Sequence, residues 1–208
     1  MANPTTNTPA VITLAMTGAS GAAYGFRLLA CLLHAKCRVY FLISDAARTV
    51  VKMEMGIDLP LDIDDLQVFL SERYGASPEQ LRVFGQYDWL APPASGTGGK
   101  IPMVICPASG GVIAAIAAGI SGNLTQRAAD VAIKEKRPLI LVPREMPSSV
   151  IHLQNQLALA RLGATIMPAS PGFYQQPRTL DDIVDFVVAR ILDQLDMPHA
   201  LLPRWGLS

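Results

Sequence analysis

Six short runs of β-branched and apolar residues punctuate the chain: VITLAMT (11–17), VYFLIS (39–44), LRVFG (81–85), MVICPA (103–108), PLILVP (138–143) and ATIMP (164–168). Helix-length amphipathic stretches separate them, at 22–34, 45–55, 111–118, 124–136, 149–162 and 180–195. Such alternation constrains the fold to α/β, with a mostly parallel, doubly wound sheet of the Rossmann-like or flavodoxin-like kind, because successive parallel strands need a crossover and the crossover helices pack on the faces. Runs this apolar require cover on both sides, so the sheet is central. No repeat, low-complexity tract or linker marks a second domain. The predicted organisation is a loose tail at 1–10, one domain at 11–196 and a C-terminal tail at 197–208.

Composition narrows the possible roles. Half of the residues are hydrophobic, 16% are charged, and the mean hydropathy is +0.31, which supplies a large core and leaves a charge-poor surface of the kind other subunits cover. Seventeen Lys and Arg balance seventeen Asp and Glu, so no overall positive field attracts nucleic acid or anionic lipid. Three cysteines, Cys31, Cys37 and Cys106, form no CxxC pair and leave an odd number, which points to a reducing, cytoplasmic setting. The opening MANPTTNTPA has no basic region, and the apolar run after it stops at Thr17-Gly18, unlike a secretory leader. Residues 101–126 carry no charge over a bilayer-spanning length, but Pro107, Ser109-Gly110-Gly111 and Ser121-Gly122-Asn123 divide them into a strand, a turn and a helix.

In a doubly wound sheet, ligands sit beyond the carboxyl ends of the strands, so the residues that follow each strand hold the chemistry. After the first strand, Thr17-Gly18-Ala19-Ser20-Gly21-Ala22 opens directly into a helix, whose free N–H groups and positive dipole end suit an anion. A dinucleotide fingerprint fits poorly. Tyr24 stands where a glycine is needed, Gly25 comes one residue late, and Ser44 ends the second strand where a ribose-binding acid is usual, with Asp45 beside it. After the fourth strand, Cys106-Pro107-Ala108-Ser109-Gly110-Gly111 opens a second helix in the same way. Two such turns without a Walker lysine suggest a mononucleotide held from two sides, with a flavin phosphate as the natural candidate.

The fifth strand runs into Pro143-Arg144-Glu145-Met146-Pro147, a charged pair fixed between prolines. Arg127 and Lys134 lie seven apart, on one face of one helix, as candidate ligands for a leaving phosphate. The Gly- and Pro-rich segment 90–99 reads as a functional loop. His34, His152 and His199 share no metal-ligand spacing with the cysteines and read as surface or packing residues. Asp62, Asp64 and Asp65 read as the solvated face of a helix-like stretch, and no magnesium site is expected.

Taken together, these segments resemble the UbiX-type flavin prenyltransferases, once described as 3-octaprenyl-4-hydroxybenzoate carboxy-lyases. The residues that carry the resemblance are Thr17-Gly18-Ala19-Ser20-Gly21-Ala22, Ser44, the 88–96 stretch DWLAPPASG, Cys106-Pro107-Ala108-Ser109, the 127–135 stretch RAADVAIKE, Leu141-Val142-Pro143-Arg144-Glu145, Pro171-Gly172-Phe173-Tyr174 and Leu202-Pro203-Arg204-Trp205-Gly206. They span nearly the whole chain. The resemblance implies that a dimethylallyl group is moved from dimethylallyl phosphate to N5 and C6 of reduced FMN, without a metal. The prenylated FMN would serve a UbiD-type decarboxylase acting in ubiquinone synthesis or on aromatic and unsaturated acids.

By the same resemblance, FMN is held by Gly18, Ala19, Ser20, Ser44, the Ser109-Gly110-Gly111-Val112 turn and Arg127, and the allylic phosphate by Ser95, Gly96, Lys134, Arg144, Tyr174 and Arg190. Some of these come from neighbouring subunits of a homododecamer, and Glu54 and Trp205 lie near the site, Trp205 on a tail that closes over it. The implied catalytic groups are Lys134 and Arg144, which take up the charge of the departing phosphate, and Ser20 and Glu145, which relay a proton. Relatives often read Cys-Pro-Cys-Ser-x-x-Thr where this chain has Ala108 and Val112, so a threonine hydroxyl is missing at 112. Two other readings of the same fold are an FMN-dependent cysteine decarboxylase and a non-catalytic FMN-binding subunit.

Overall fold

The computed structural model describes residues 10–202. The tail at 1–9 and the end of the C-terminal tail, with Trp205, lie outside the described residues. Six parallel strands, β1 (Val11–Met16), β2 (Arg38–Ile43), β3 (Leu81–Phe84), β4 (Met103–Ala108), β5 (Leu139–Pro143) and β6 (Thr165–Ile166), form one sheet in the order β3-β2-β1-β4-β5-β6. All six predicted strands are present. The strand order reverses direction between β1 and β4, which opens a crevice at their carboxyl ends.

Side chains alternate between two buried faces, which is why the strand sequences are apolar throughout rather than at every second residue. Leu14, Met16, Phe41 and Val104 pack on one side with α1 (Ala22–His34), α2 (Asp45–Met55), α3 (Ile63–Tyr74) and α7 (Leu180–Gln194). Ala15, Leu42, Ile105 and Leu141 pack on the other with α4 (Gly110–Ala117), α5 (Leu124–Lys134) and α6 (Val150–Arg161). The charge-free segment 101–126 is thus β4, a turn, α4 and the start of α5, and no helix among the described residues is long and apolar enough to cross a membrane.

Three local features gain detail. The acidic stretch at 62–65 begins a full helix: Asp62 accepts from the amides of Asp64 and Asp65 as the N-cap of α3, where the dipole favours its charge. The helix read as amphipathic at 149–162 buries Leu159 alone, while Val150, Ile151, Leu153 and Leu157 stand exposed. Gly25, one residue late for a dinucleotide fingerprint, is a packing residue. A Cβ there would lie 2.5 Å from the Cys106 carbonyl oxygen and 2.8 Å from Met16, so glycine lets α1 cross β1 and β4 at close range.

Candidate functional site

Thr17 ties the two strand-to-helix turns together. Its buried hydroxyl donates to the Pro107 carbonyl at 2.9 Å and accepts from the Ser109 amide at 2.8 Å, fixing the end of β1 against the end of β4. Beyond Thr17 the chain bends through Gly21, whose φ of 110° is in the left-handed region that favours glycine, and enters α1. The start of α1 meets an anion from within the chain. Gly21 N–H donates to Glu54 Oε2 at 2.9 Å and Oε1 at 3.1 Å, and Ala22 N–H donates to Oε2 at 2.8 Å.

Burial opposes ionisation of Glu54, but hydrogen bonds from the Ser20 hydroxyl and the two amides, with the nearby Arg144 charge, outweigh it and hold the carboxyl below its ordinary 4.5. The N-terminus of α1 is therefore matched by Glu54, and the two-sided phosphate cradle narrows to the side of α4 and Arg144. Because the folded-state value is depressed, this contribution to stability is present above pH 4.5 and is lost as pH falls through the lowered folded value. Glu54→Gln is expected to lower the thermal midpoint at neutral pH and to flatten its decline in acid. Parallel midpoint-against-pH curves for the two proteins would show that Glu54 does not hold this turn.

At the second turn, Ser109 caps α4 by accepting from the Val112 amide at 3.3 Å. Gly110 N–H donates to Glu145 Oε1 at 3.3 Å, so a carboxylate reaches this helix start too, from the residue after Arg144 at the end of β5. Arg144 is half-buried, and its Nε is fully buried without a hydrogen-bond acceptor among the described residues. Such a donor is costly unless an acceptor arrives, which makes it the clearest sign of an anion seat. Burial pushes the Tyr24 phenol above its ordinary range, Arg144 opposes and Glu54 adds to the shift, and these couplings place Tyr24, Glu54 and Arg144 in one neighbourhood. A cavity of about 190 Å³ opens beside Arg144 and Glu145, walled by Met146, Gln156, Pro168 and Ser170.

A second group gathers on the loop after β3. Arg127 Nε donates to the Ala94 carbonyl at 3.3 Å and its Nη1 pairs with Asp130 at 2.9 Å. Lys134 Nζ, 3.3 Å from Glu135, reaches the same loop at Gly96. Arg127 and Lys134 thus share one helix face, as their spacing predicts, and that face looks onto Ala94 to Gly96. A third group lies on α7 and on the 173–175 turn packed against it. The Tyr174 ring stands edge-on to Phe186 with centroids 5.7 Å apart, and Arg190, one turn further along, pairs with Asp193 at 2.5 Å.

Ser20, Glu54, Arg144 and Glu145 come together around the two helix starts; Ser95, Gly96, Arg127 and Lys134 around the loop; Arg190 lies on α7, with Tyr174 packed against the same helix at Phe186. Ser44 caps α2 by accepting from the Ala47 amide at 3.1 Å, which leaves its hydroxyl proton available to donate elsewhere. Two expectations change in detail. The Ser20 hydroxyl donates to Glu54, whereas Glu145 is engaged with Gly110. Val112 turns its side chain into the core and gives its amide to Ser109, so it brings no polar group to a ligand.

Residues 1–192 match the family model described as Flavoprotein. Flavin prenyltransferase UbiX of Pseudomonas aeruginosa is 58% identical over 198 residues, 95% of each chain. That of Methanocaldococcus jannaschii is 39% identical over 195 residues, 94% of this chain and 98% of its own. The chain belongs to the UbiX flavin prenyltransferase family. Among solved structures, AnUbiX (PadA1) in complex with FMN and dimethylallyl pyrophosphate superposes with a TM-score of 0.84 at 33% identity, covering 96% of this chain and 98% of that one. A dodecameric FMN-dependent UbiX-like decarboxylase from Escherichia coli O157:H7 gives 0.81 at 38% identity over 94% and 99%. The FMN-dependent cysteine decarboxylase TvaF, at 17% identity and a TM-score of 0.58, shares the fold alone.

In this UbiX-family chain, three residues near the site are not singled out by their local sequence. Thr17 was visible only as the first letter of its turn. His152, read as a packing residue, accepts from the Ser149 amide through Nδ1, so in the neutral ring the proton is on Nε2, which lies beside Gly110 and Glu145. Arg137 is the third. Its signal, a basic residue just past a helix end, is shared by countless solvated side chains.

Proposed function

We propose that the chain is a flavin prenyltransferase that joins the dimethylallyl group of dimethylallyl phosphate to reduced FMN. The observation that carries this reading is the buried Arg144 Nε without an acceptor, set beside the Ser20–Glu54 pair and the start of α4 in a chain 58% identical to a flavin prenyltransferase. The residues fit FMN. Arg144 offers a donor that has no acceptor among the described residues, Ser44 and Ser109 offer hydroxyl protons, and Ser109 stands at the N-terminus of α4. Bound reduced FMN supplies the nucleophilic N5 and C6 atoms.

The protein's part is to hold the donor and manage charge. Lys134, Arg144 and Arg190, with Arg127 nearby, spread the negative charge that develops on the departing phosphate, the task a metal performs elsewhere. The Tyr174 ring would offer its face to an electron-poor allyl group. Glu145 accepts the proton released on ring closure, and Ser20, oriented by Glu54, bridges toward it.

The site needs more than one copy of the chain. A 190 Å³ cavity beside Arg144 and Glu145 is smaller than the roughly 300 Å³ at which ligand pockets begin, and its walls do not include Lys134, Tyr174 or Arg190. An assembly like that of the dodecameric relative would bring those groups together and cover α6. Three free thiols, Cys31, Cys37 and Cys106, support a cytoplasmic setting, and the product's recipient is a UbiD-type decarboxylase.

Anaerobic incubation with reduced FMN and dimethylallyl phosphate, followed by mass spectrometry of the released flavin, tests the reading. The flavin is expected to gain one isoprenoid unit, at an undiminished rate after exhaustive EDTA treatment. Unmodified FMN together with release of carbon dioxide from a peptide cysteine would instead establish the decarboxylase reading. Activity recovered only on adding magnesium would overturn the assignment of Lys134, Arg144 and Arg190 as phosphate activators.

A further inference from the structure

Among the described residues Arg137 is the one buried arginine, 7% exposed, and no carboxylate among them lies within ion-pair distance of it. Its guanidinium Nη2 donates instead to two successive backbone carbonyls, Ser95 at 3.1 Å and Gly96 at 2.6 Å. Burying a cation against neutral acceptors is a poor device for stability, since an apolar side chain of similar volume fills such a space without the desolvation cost. What the arrangement secures is the path of the loop. Two adjacent carbonyls held by one planar guanidinium nitrogen fix that peptide's plane, and the exposed Ser95 side chain turns to Thr97, Oγ to Oγ1 at 2.9 Å.

The other end of the same residue is fixed to the helix that carries Lys134. Past α5 the chain turns through Lys136 at φ 53°, with Lys136 N–H donating to the Ile133 carbonyl and Arg137 N–H to Ala132, the hydrogen-bond pattern of a Schellman cap. The left-handed conformation is unfavourable for lysine, and it directs Arg137 back beneath the 94–96 loop. A Cβ on Gly96 would lie 2.6 Å from Glu135 Oε1 and 3.5 Å from Lys134 Nζ, so the loop backbone runs against the same turn from above. Arg137 thus connects the Ser95–Gly96 peptide to the end of α5 at a fixed distance, and its unneutralised charge adds to the potential that an anion meets there.

We propose that Arg137 is a positioning residue that sets the Ser95–Gly96 loop against Lys134, so that the loop and the ammonium receive the donor phosphate together. The proposal rests on the reading of that loop as the donor-phosphate contact. It is tested on the assembled, FMN-loaded protein with Arg137→Met, which keeps the bulk of the stem, and Arg137→Lys, which keeps the charge and one donor. Steady-state prenylation, FMN affinity and amide exchange by mass spectrometry are the readouts. For Arg137→Met, the KM for dimethylallyl phosphate is expected to rise about 10- to 100-fold, the range for losing charge-assisted hydrogen bonds, with FMN affinity unchanged. Exchange should accelerate in the 92–99 segment and not in the core strands, and Arg137→Lys should recover part of both effects. An unchanged KM, or exchange that accelerates equally in β1 and β4, would overturn the positioning role. Failure of the underlying reading looks different: the exchange pattern changes as expected, but Ser95→Ala, tested in parallel, leaves the KM untouched.

Discussion

Glu145→Gln is expected to slow prenylation by about 10²- to 10⁴-fold while leaving the amount of FMN bound unchanged. Glutamine keeps the volume of the side chain and one oxygen acceptor, so the Gly110 amide that donates to Glu145 Oε1 at 3.3 Å retains a partner and the start of α4 stays in place. Only the ability to take up a proton is removed. Rapid-mixing absorbance would resolve the two bond-forming steps: the first, at flavin N5, should proceed at close to the unaltered rate, and the loss should appear in ring closure. Near-normal turnover would reduce Glu145 to a hydrogen-bond partner of α4, and an equal slowing of both steps would assign it to donor binding instead.

The second large effect concerns α6. Leu153→Glu combined with Leu157→Glu is expected to break the assembly into smaller species and to abolish prenylation, while the isolated chain keeps its secondary structure. The two leucines are four apart on one helix face and 56% and 50% exposed, beside Val150 and Ile151, whereas only Leu159 of this helix enters the chain's own core. Each aliphatic side chain of this size gains about 1.5–3 kcal/mol on full burial, so a face of four is a strong interface when another copy covers it and an aggregation hazard when none does. Sedimentation velocity would give the size of the species and circular dichroism their fold. An intact, active assembly would show that α6 faces solvent in the working enzyme.

Most of the fold was legible in the sequence because its signals are local. Each strand and each main helix except α3 announces itself through the period of its own apolar residues, and the boundaries fall within a few positions of those expected; α5 stops at Lys134 rather than 136 because Lys136 turns left-handed. The two helix-opening turns were legible for the same reason, since glycine and serine just past a strand define a helix start wherever they occur. Polar partnership was not. That Ser20 pairs with Glu54 rather than Glu145, and that Arg137 reaches back 41 residues to Gly96, depends on which strands lie side by side and how closely their helices approach.

The sequence by itself thus determined the layers of the protein and the family it belongs to. Hydrophobic period and turn chemistry act over a few neighbouring residues, and they leave their record there. Only the tertiary structure decided which carboxylate faces which helix start, that Arg144 Nε is left without an acceptor among the described residues, and that the apolar face of α6 points away from the core. Those outcomes depend on distances between segments far apart in the chain, and the strand order that sets such distances has no local signature.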